Sequence, residues 1–139
     1  IPYYKSDRSM EFKSESKLHR VVLYAGTQIG SHNLLGDFCS IREECQIGNY
    51  CIISRNVSVN YNTKIGNDTK IMDNSHITGN MIIGNHVFIT VLVATTNDNT
   101  MGREEYNGNH VRGAIIGDDV TIELRLIFCR GLRSGIMQL

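Results

Sequence analysis

Among the five histidines of this 139-residue chain, His76 is the one whose neighbours suit proton transfer. A neutral imidazole takes a proton from an amine or a hydroxyl near neutral pH. Ser58 precedes His76 by eighteen residues, and Asn60, Tyr61, Asn97 and Asp98 fall at related offsets on either side. Hydroxyls and amides of that kind hold polar substrates, and a carboxylate such as Asp98 can fix an imidazole tautomer. The chemistry expected is deprotonation of an attacking nucleophile, with His76 as base and Ser58, Asn60, Tyr61, Asn97 and Asp98 around the substrate. The alternative is that His76 only tiles a solvated face or a subunit interface. His32 and His86 read as surface polar residues, and His19 lies outside the pattern described next. His110 stands on a polar segment from which it would reach a neighbouring subunit's site. No histidine pair has the short spacing of a helical zinc site, and no P-loop or dinucleotide-binding glycine pattern is present.

These offsets matter only if something repeats every eighteen residues, and something does. One aliphatic residue recurs at every sixth position: Ile29, Leu35, Ile41, Ile47, Ile53, Val59, Ile65, Ile71, Ile77, Ile83 and Ile89. Two residues before each rung stands a residue that is mostly small or β-branched, such as Thr27, Cys39, Cys45, Cys51, Thr63 or Ser75. Side chains two apart on a strand point the same way, so both face inward and the residue between them faces out. A period of six fits neither an amphipathic helix nor a hairpin meander; it is the signature of a parallel β-helix. Three hexapeptides make one triangular coil. Glycine follows the rung at Gly30, Gly36, Gly48, Gly66 and Gly84, where it is expected to tolerate the unusual backbone of a tight corner. Outward residues sort into three faces. Ser40, Ser58 and His76 share one; Leu34, Ile52 and Phe88 lie on another, an apolar patch that hints at self-association.

The length is that of one domain. Residues 1–20 are charged and Ser-rich and read as an irregular N-terminal arm; the β-helix domain occupies 21–139, with register from Val21 and Leu23 onward. Residues 95–113 are polar and Gly/Asn-rich and read as a loop extruded from the helix, and register returns at Ile116, Val120 and Ile122. The tail 123–139 abandons the repeat. Permitted codons after Ile122, with one inserted G, would read Gly-Ala-Ala-Ala-Asn-Ile-Leu-Pro-Gly-Ile-Thr-Ile-Gly-Asp-Asn-Ala-Val, another hexapeptide coil. The tail is therefore read as the product of a one-base deletion, which the coding DNA would expose.

Formal net charge is zero, so nothing steers the chain toward nucleic acid or an anionic membrane. No apolar run has the length of a membrane span, and no secretory signal pattern opens the chain. Cys39, Cys45 and Cys51 fall at inward positions on three different faces, which favours packing over metal or disulfides and suggests a reduced, cytoplasmic setting.

The repeat from Val21 to Ile122 resembles the left-handed β-helix hexapeptide acyltransferases. Within it, NVSVNYNTKIGNDTKIMDNSHITGNMIIGNHVFI followed by TTNDN is similar to the nucleotide-sugar N-acetyltransferases. The resemblance implies an all-β, left-handed parallel β-helix with one extruded loop. It implies a homotrimer with active sites between adjacent helices, acetyl-CoA as acyl donor, a nucleotide-linked amino sugar as acceptor, and no metal. His76, Asn60 and Asn97 would then face the sugar amine, with His110 supplied across the interface. Missing C-terminal coils would remove part of the expected CoA groove. A catalytically silent scaffold is the main rival; a γ-class carbonic anhydrase is the lesser one, since His76, His86 and His110 do not match its closely paired ligands.

Overall fold

The computed structural model describes residues 11–12, 15–18, 20–100, 102–103, 108 and 110–123. His19, Cys129 and the tail beyond residue 123 lie outside the described residues. Among those described, every regular element is a two-residue strand, and every strand pairs in parallel. Three sheets result. The first stacks Glu11–Phe12, Gln28–Ile29, Gln46–Ile47, Lys64–Ile65, Ile82–Ile83 and Ile115–Ile116. The second stacks Lys17–Leu18, Leu34–Leu35, Ile52–Ile53, Lys70–Ile71, Phe88–Ile89 and Thr121–Ile122. The third stacks Val22–Leu23, Ser40–Ile41, Ser58–Val59 and His76–Ile77, and Ala94 adds a parallel bridge to His76. The chain is thus a parallel β-helix of hexapeptide repeats.

Rung sits on rung, as the period requires. Leu35, Ile41, Ile53, Ile71, Ile77 and Ile89 are fully buried, and the outward residue of each pair is more exposed. The helix begins earlier than the aliphatic ladder suggests. Strands at Glu11–Phe12 and Lys17–Leu18 join the first and second sheets inside the segment expected to be an irregular arm. Leu18 pairs with Leu35 and Phe12 with Ile29, spacings one residue short of the regular coil, and that slip hides them from a strict count of six.

The inward residues before each rung do more than fill space. Thr27 Oγ1 donates to the Arg42 carbonyl, Asn33 Nδ2 to Gly48, Cys45 Sγ to Asn60, Cys51 Sγ to Gly66, Thr63 Oγ1 to Thr78, Thr69 Oγ1 to Gly84 and Ser75 Oγ to Thr90, each over an interval of 15 residues. A corner carbonyl of the next coil is turned away from the backbone ladders, and a short polar side chain satisfies it from inside. This gives Thr, Ser, Cys and Asn a role at the positions that carry them, while Val57, Met81 and Val87 fill the same inward column with apolar groups. Burial pushes the Cys39, Cys45 and Cys51 thiols up to about 11, which keeps them protonated and inert. Thr63→Val keeps the shape but strands the buried Thr78 carbonyl. It should cost about 1–3 kcal/mol in urea unfolding, and Thr63→Cys should cost less.

The corners correct the expectation for glycine. The left-handed residue comes three positions after the rung, at His32, Tyr50, Asp68 and His86, with φ of 59°, 58°, 53° and 55°. Gly48, Gly66 and Gly84 are not among the positive-φ residues. They stand where successive coils touch: a Cβ on Gly66 would lie 2.6 Å from the backbone carbon of Gly84, and one on Gly84 would lie 2.7 Å from that of Gly117. A side-chain ladder closes the same corner. Asn67 Oδ1 accepts the Asn49 N–H, Asn85 Oδ1 the Asn67 N–H, and Asp118 Oδ1 the Asn85 N–H, at 2.8, 2.8 and 2.6 Å.

The extruded loop leaves the corner between the third and first sheets. In the first sheet Ile83 pairs with Ile116, so this coil takes 33 residues where others take 18. An antiparallel bridge between Asp98 and Val111 closes the loop at its root.

Candidate functional site

His76 is the outward residue of the third sheet's last two-residue strand, and its side chain is exposed. Its backbone is fixed on the side where the loop departs. The His76 N–H donates to the Val93 carbonyl at 2.8 Å, and its carbonyl accepts from Thr95 N–H at 3.0 Å and Thr95 Oγ1 at 3.1 Å. Register places Ser58 directly beside it, one coil below. Asn60 Nδ2 lies 3.5 Å from His76 Nε2. This lies at the outer edge of hydrogen-bond distance, and the direction of the contact follows the imidazole tautomer. Asn60 itself is held from inside by the Cys45 thiol on its carbonyl and by its N–H on Ile77.

The second pair is Tyr61 and Asn97. Tyr61 lies against Gly79, where a Cβ would fall 2.6 Å from the ring. Asn97 Nδ2 approaches Tyr61 Oη at 3.5 Å and donates to the Gly79 carbonyl at 3.1 Å, while the Asn97 carbonyl accepts the Arg112 N–H at 2.9 Å. Asp98, expected to orient the imidazole, accepts Thr100 N–H and Oγ1 on Oδ1 and Gly102 N–H on Oδ2, a turn that shapes the loop. The contact at His76 Nε2 comes from Asn60. His110 sits at the loop root, its carbonyl accepting from Asn99 Nδ2 at 3.3 Å. The offset of eighteen places Ser58 beside His76, Asn60 reaches the ring from two residues further along the lower coil, and Tyr61 and Asn97 meet over an offset of 36 at the next corner position.

Sequence reasoning passed over Arg42 and Glu43. Arg42 Nε and Nη2 donate to the two oxygens of Glu43 at 3.0 and 3.2 Å, and its guanidinium lies 5.9 Å from the Tyr24 ring centre and 5.7 Å from that of Tyr61. The bond to Glu43 pushes the guanidinium pKa still higher. The signal was available: Tyr24 and Arg42 stand eighteen apart, and Tyr61 one position beyond the next repeat.

His32 and His86 occupy left-handed corner positions. His32 stacks on Tyr50 at 4.7 Å with Nε2 on Glu15, and His86 lies between Asp68 and Asp119 at 3.6 and 3.5 Å. Among the described residues, no three or more His, Cys, Asp or Glu form a group able to hold a metal ion. No helix among them is long and apolar enough to cross a membrane.

The coil geometry defines the class of architecture, a hexapeptide β-helix, and comparison with known proteins agrees on that architecture. A family model described as bacterial transferase hexapeptide (six repeats) matches residues 26–60. No curated protein matches the chain. Among solved structures, it is similar to the acetyltransferase domain of PglB from Neisseria gonorrhoeae, at 14% identity and a TM-score of 0.55 over 65% of this chain and 46% of that one. It also aligns with a mutant perosamine N-acetyltransferase from Caulobacter crescentus in complex with CoA and GDP-perosamine (13% identity, TM-score 0.35, 82% of this chain and 52% of that one). A third is serine acetyltransferase 1 from Entamoeba histolytica in complex with L-cysteine (15% identity, TM-score 0.26, 84% and 39%). The chain spans less than half the length of the first of these structures. At 14% identity the likeness to the PglB domain supports the fold alone.

Proposed function

We propose that this chain is an acyl-CoA-dependent N-acetyltransferase acting on the amino group of a nucleotide-linked amino sugar, as a cytoplasmic homotrimer serving surface glycan synthesis. The observation that carries the reading is His76, exposed at the loop's corner with Ser58 beside it in register and Asn60 Nδ2 3.5 Å from its Nε2. The hexapeptide transferase match over residues 26–60 supports acyl transfer as the reaction class, and so does the likeness to an acetyltransferase domain. The sugar component rests on the resemblance of the segment from Asn56 to Ile89 to nucleotide-sugar enzymes.

In the proposed reaction the acceptor amine attacks the thioester carbonyl of acetyl-CoA. His76 Nε2 takes the amine proton as the new C–N bond forms, and the C–S bond then breaks. The CoA sulfur leaves and receives a proton, so one amide and one free thiol appear per turnover. Ser58, Asn60, Tyr61 and Asn97 offer the hydroxyl and amide groups that would orient a polar acceptor. Asp98 shapes the loop beside them, and His110 would approach from the loop root of a neighbouring copy. The exposed Leu34, stacked on Ile52, and the exposed Phe88, beyond Lys70 on the same face, supply apolar surface for self-association.

The test is thiol release from acetyl-CoA with a panel of UDP- and dTDP-linked amino sugars. Release that depends on one acceptor, with the acetylated sugar recovered, supports the reading. No release with any member would leave the protein a catalytically silent scaffold.

A further inference from the structure

Arg42 is partly exposed but touches Glu43, Tyr24 and Tyr61, and this contact chain leads to the loop. It lies on the corner between the third and first sheets, one coil below Asn60. Its Nε and Nη2 form a fork with Glu43, whose side chain is only 11% exposed. A partly exposed ion pair adds little stability by itself. Its geometry is the point: the fork fixes one edge of the guanidinium, and its central carbon then lies over the Tyr24 ring at 5.9 Å and over the Tyr61 ring at 5.7 Å from the centroids. The Tyr61 ring is then bounded by Arg42 on one side and by the bare backbone of Gly79 on another. Its hydroxyl meets Asn97, and the Asn97 carbonyl takes the Arg112 N–H that closes the loop.

We propose that Arg42, clamped by Glu43, is a positioning residue: it fixes Tyr61, and through Tyr61 the Asn97 end of the loop root beside the His76–Asn60 pair. Arg42 touches no reacting atom. Its kinetic consequence rests on the acetyl-transfer reading above, whereas its structural consequence does not.

Two readouts separate these. The first is limited trypsin digestion of the native protein, following by mass spectrometry the fragment that ends at Arg103, an exposed loop residue. Arg42→Gln and Tyr61→Leu should each raise that cleavage rate about tenfold, and the double variant should be no faster than either, because both remove the same clamp. Arg42→Lys should behave like Arg42→Gln, since an ammonium cannot form the fork and stack together. Unchanged cleavage, or effects that multiply in the double variant, overturns the proposal. The second readout is the acceptor KM in the thiol-release assay. It should rise about tenfold or more in Arg42→Gln while the acetyl-CoA KM stays put. Equal rises in both KM values would mean a diffuse structural role and sink the positioning claim. Absence of acetyl transfer in the unaltered protein would overturn the function instead, and the cleavage result would still decide the clamp.

Discussion

His76→Ala should lower acetyl-transfer turnover by about 100-fold or more, with little change in the thermal unfolding midpoint. The imidazole is exposed on the outside of the third sheet and fills no core space, so stability does not depend on it. Its backbone bonds to Val93 and Thr95 survive the substitution. What disappears is the group proposed to take the acceptor's proton. Asn60→Ala should have a smaller effect, because it frees the ring without removing the base. Steady-state kinetics on both variants, with sedimentation to follow assembly, separates the two meanings of an exposed histidine. A loss of kcat in an intact assembly identifies a base. Unchanged kcat removes His76 from the chemistry, and dissociation into monomers marks it as an interface tile.

The parallel β-helix was legible because one property, the direction of a side chain, alternates along each strand, and aliphatics obey that alternation at Ile29 through Ile89 without a gap. Offsets of eighteen then translate directly into neighbours, which is why Ser58, Asn60 and His76 could be grouped before their distances were known. Three things were less legible, each for a physical reason. A single-residue slip between Leu18 and Leu23 conceals the first strands from a strict count. Residue type does not report a dihedral angle, so glycine after the rung was credited with the unusual backbone of the tight corner, which Tyr50, Asp68 and His86 adopt instead. Corner side chains carry no periodic preference for one residue type, so the spacing of Tyr24, Arg42 and Tyr61 could be found only by looking for it. Which groups Arg42 touches follows from its fork with Glu43. The inward polar residues were half-read: they pack, but they also donate to the corner carbonyls.

The corner argument makes a prediction with opposite signs at two positions. Gly66→Ala should destabilise by about 3 kcal/mol, the upper range for forced overpacking, because the added carbon meets backbone of the next coil rather than a side chain that can swing away. All the coils share one stacking distance, so relief there would have to propagate along the first corner. Leu92→Asn should instead stabilise by about 0.5–1 kcal/mol. Leu92 holds φ at 61° with its side chain 56% exposed, a branched residue in the left-handed region with little packing in return. Asn56 and Asn74, the two preceding residues in the same column, adopt φ of 55° and 61° and are the type that tolerates them. Urea unfolding of the two variants against the parent decides the matter. If Gly66→Ala is neutral, the coils are not in contact at that corner. If Leu92→Asn is destabilising, its exposed side chain is held by something that outweighs the backbone strain.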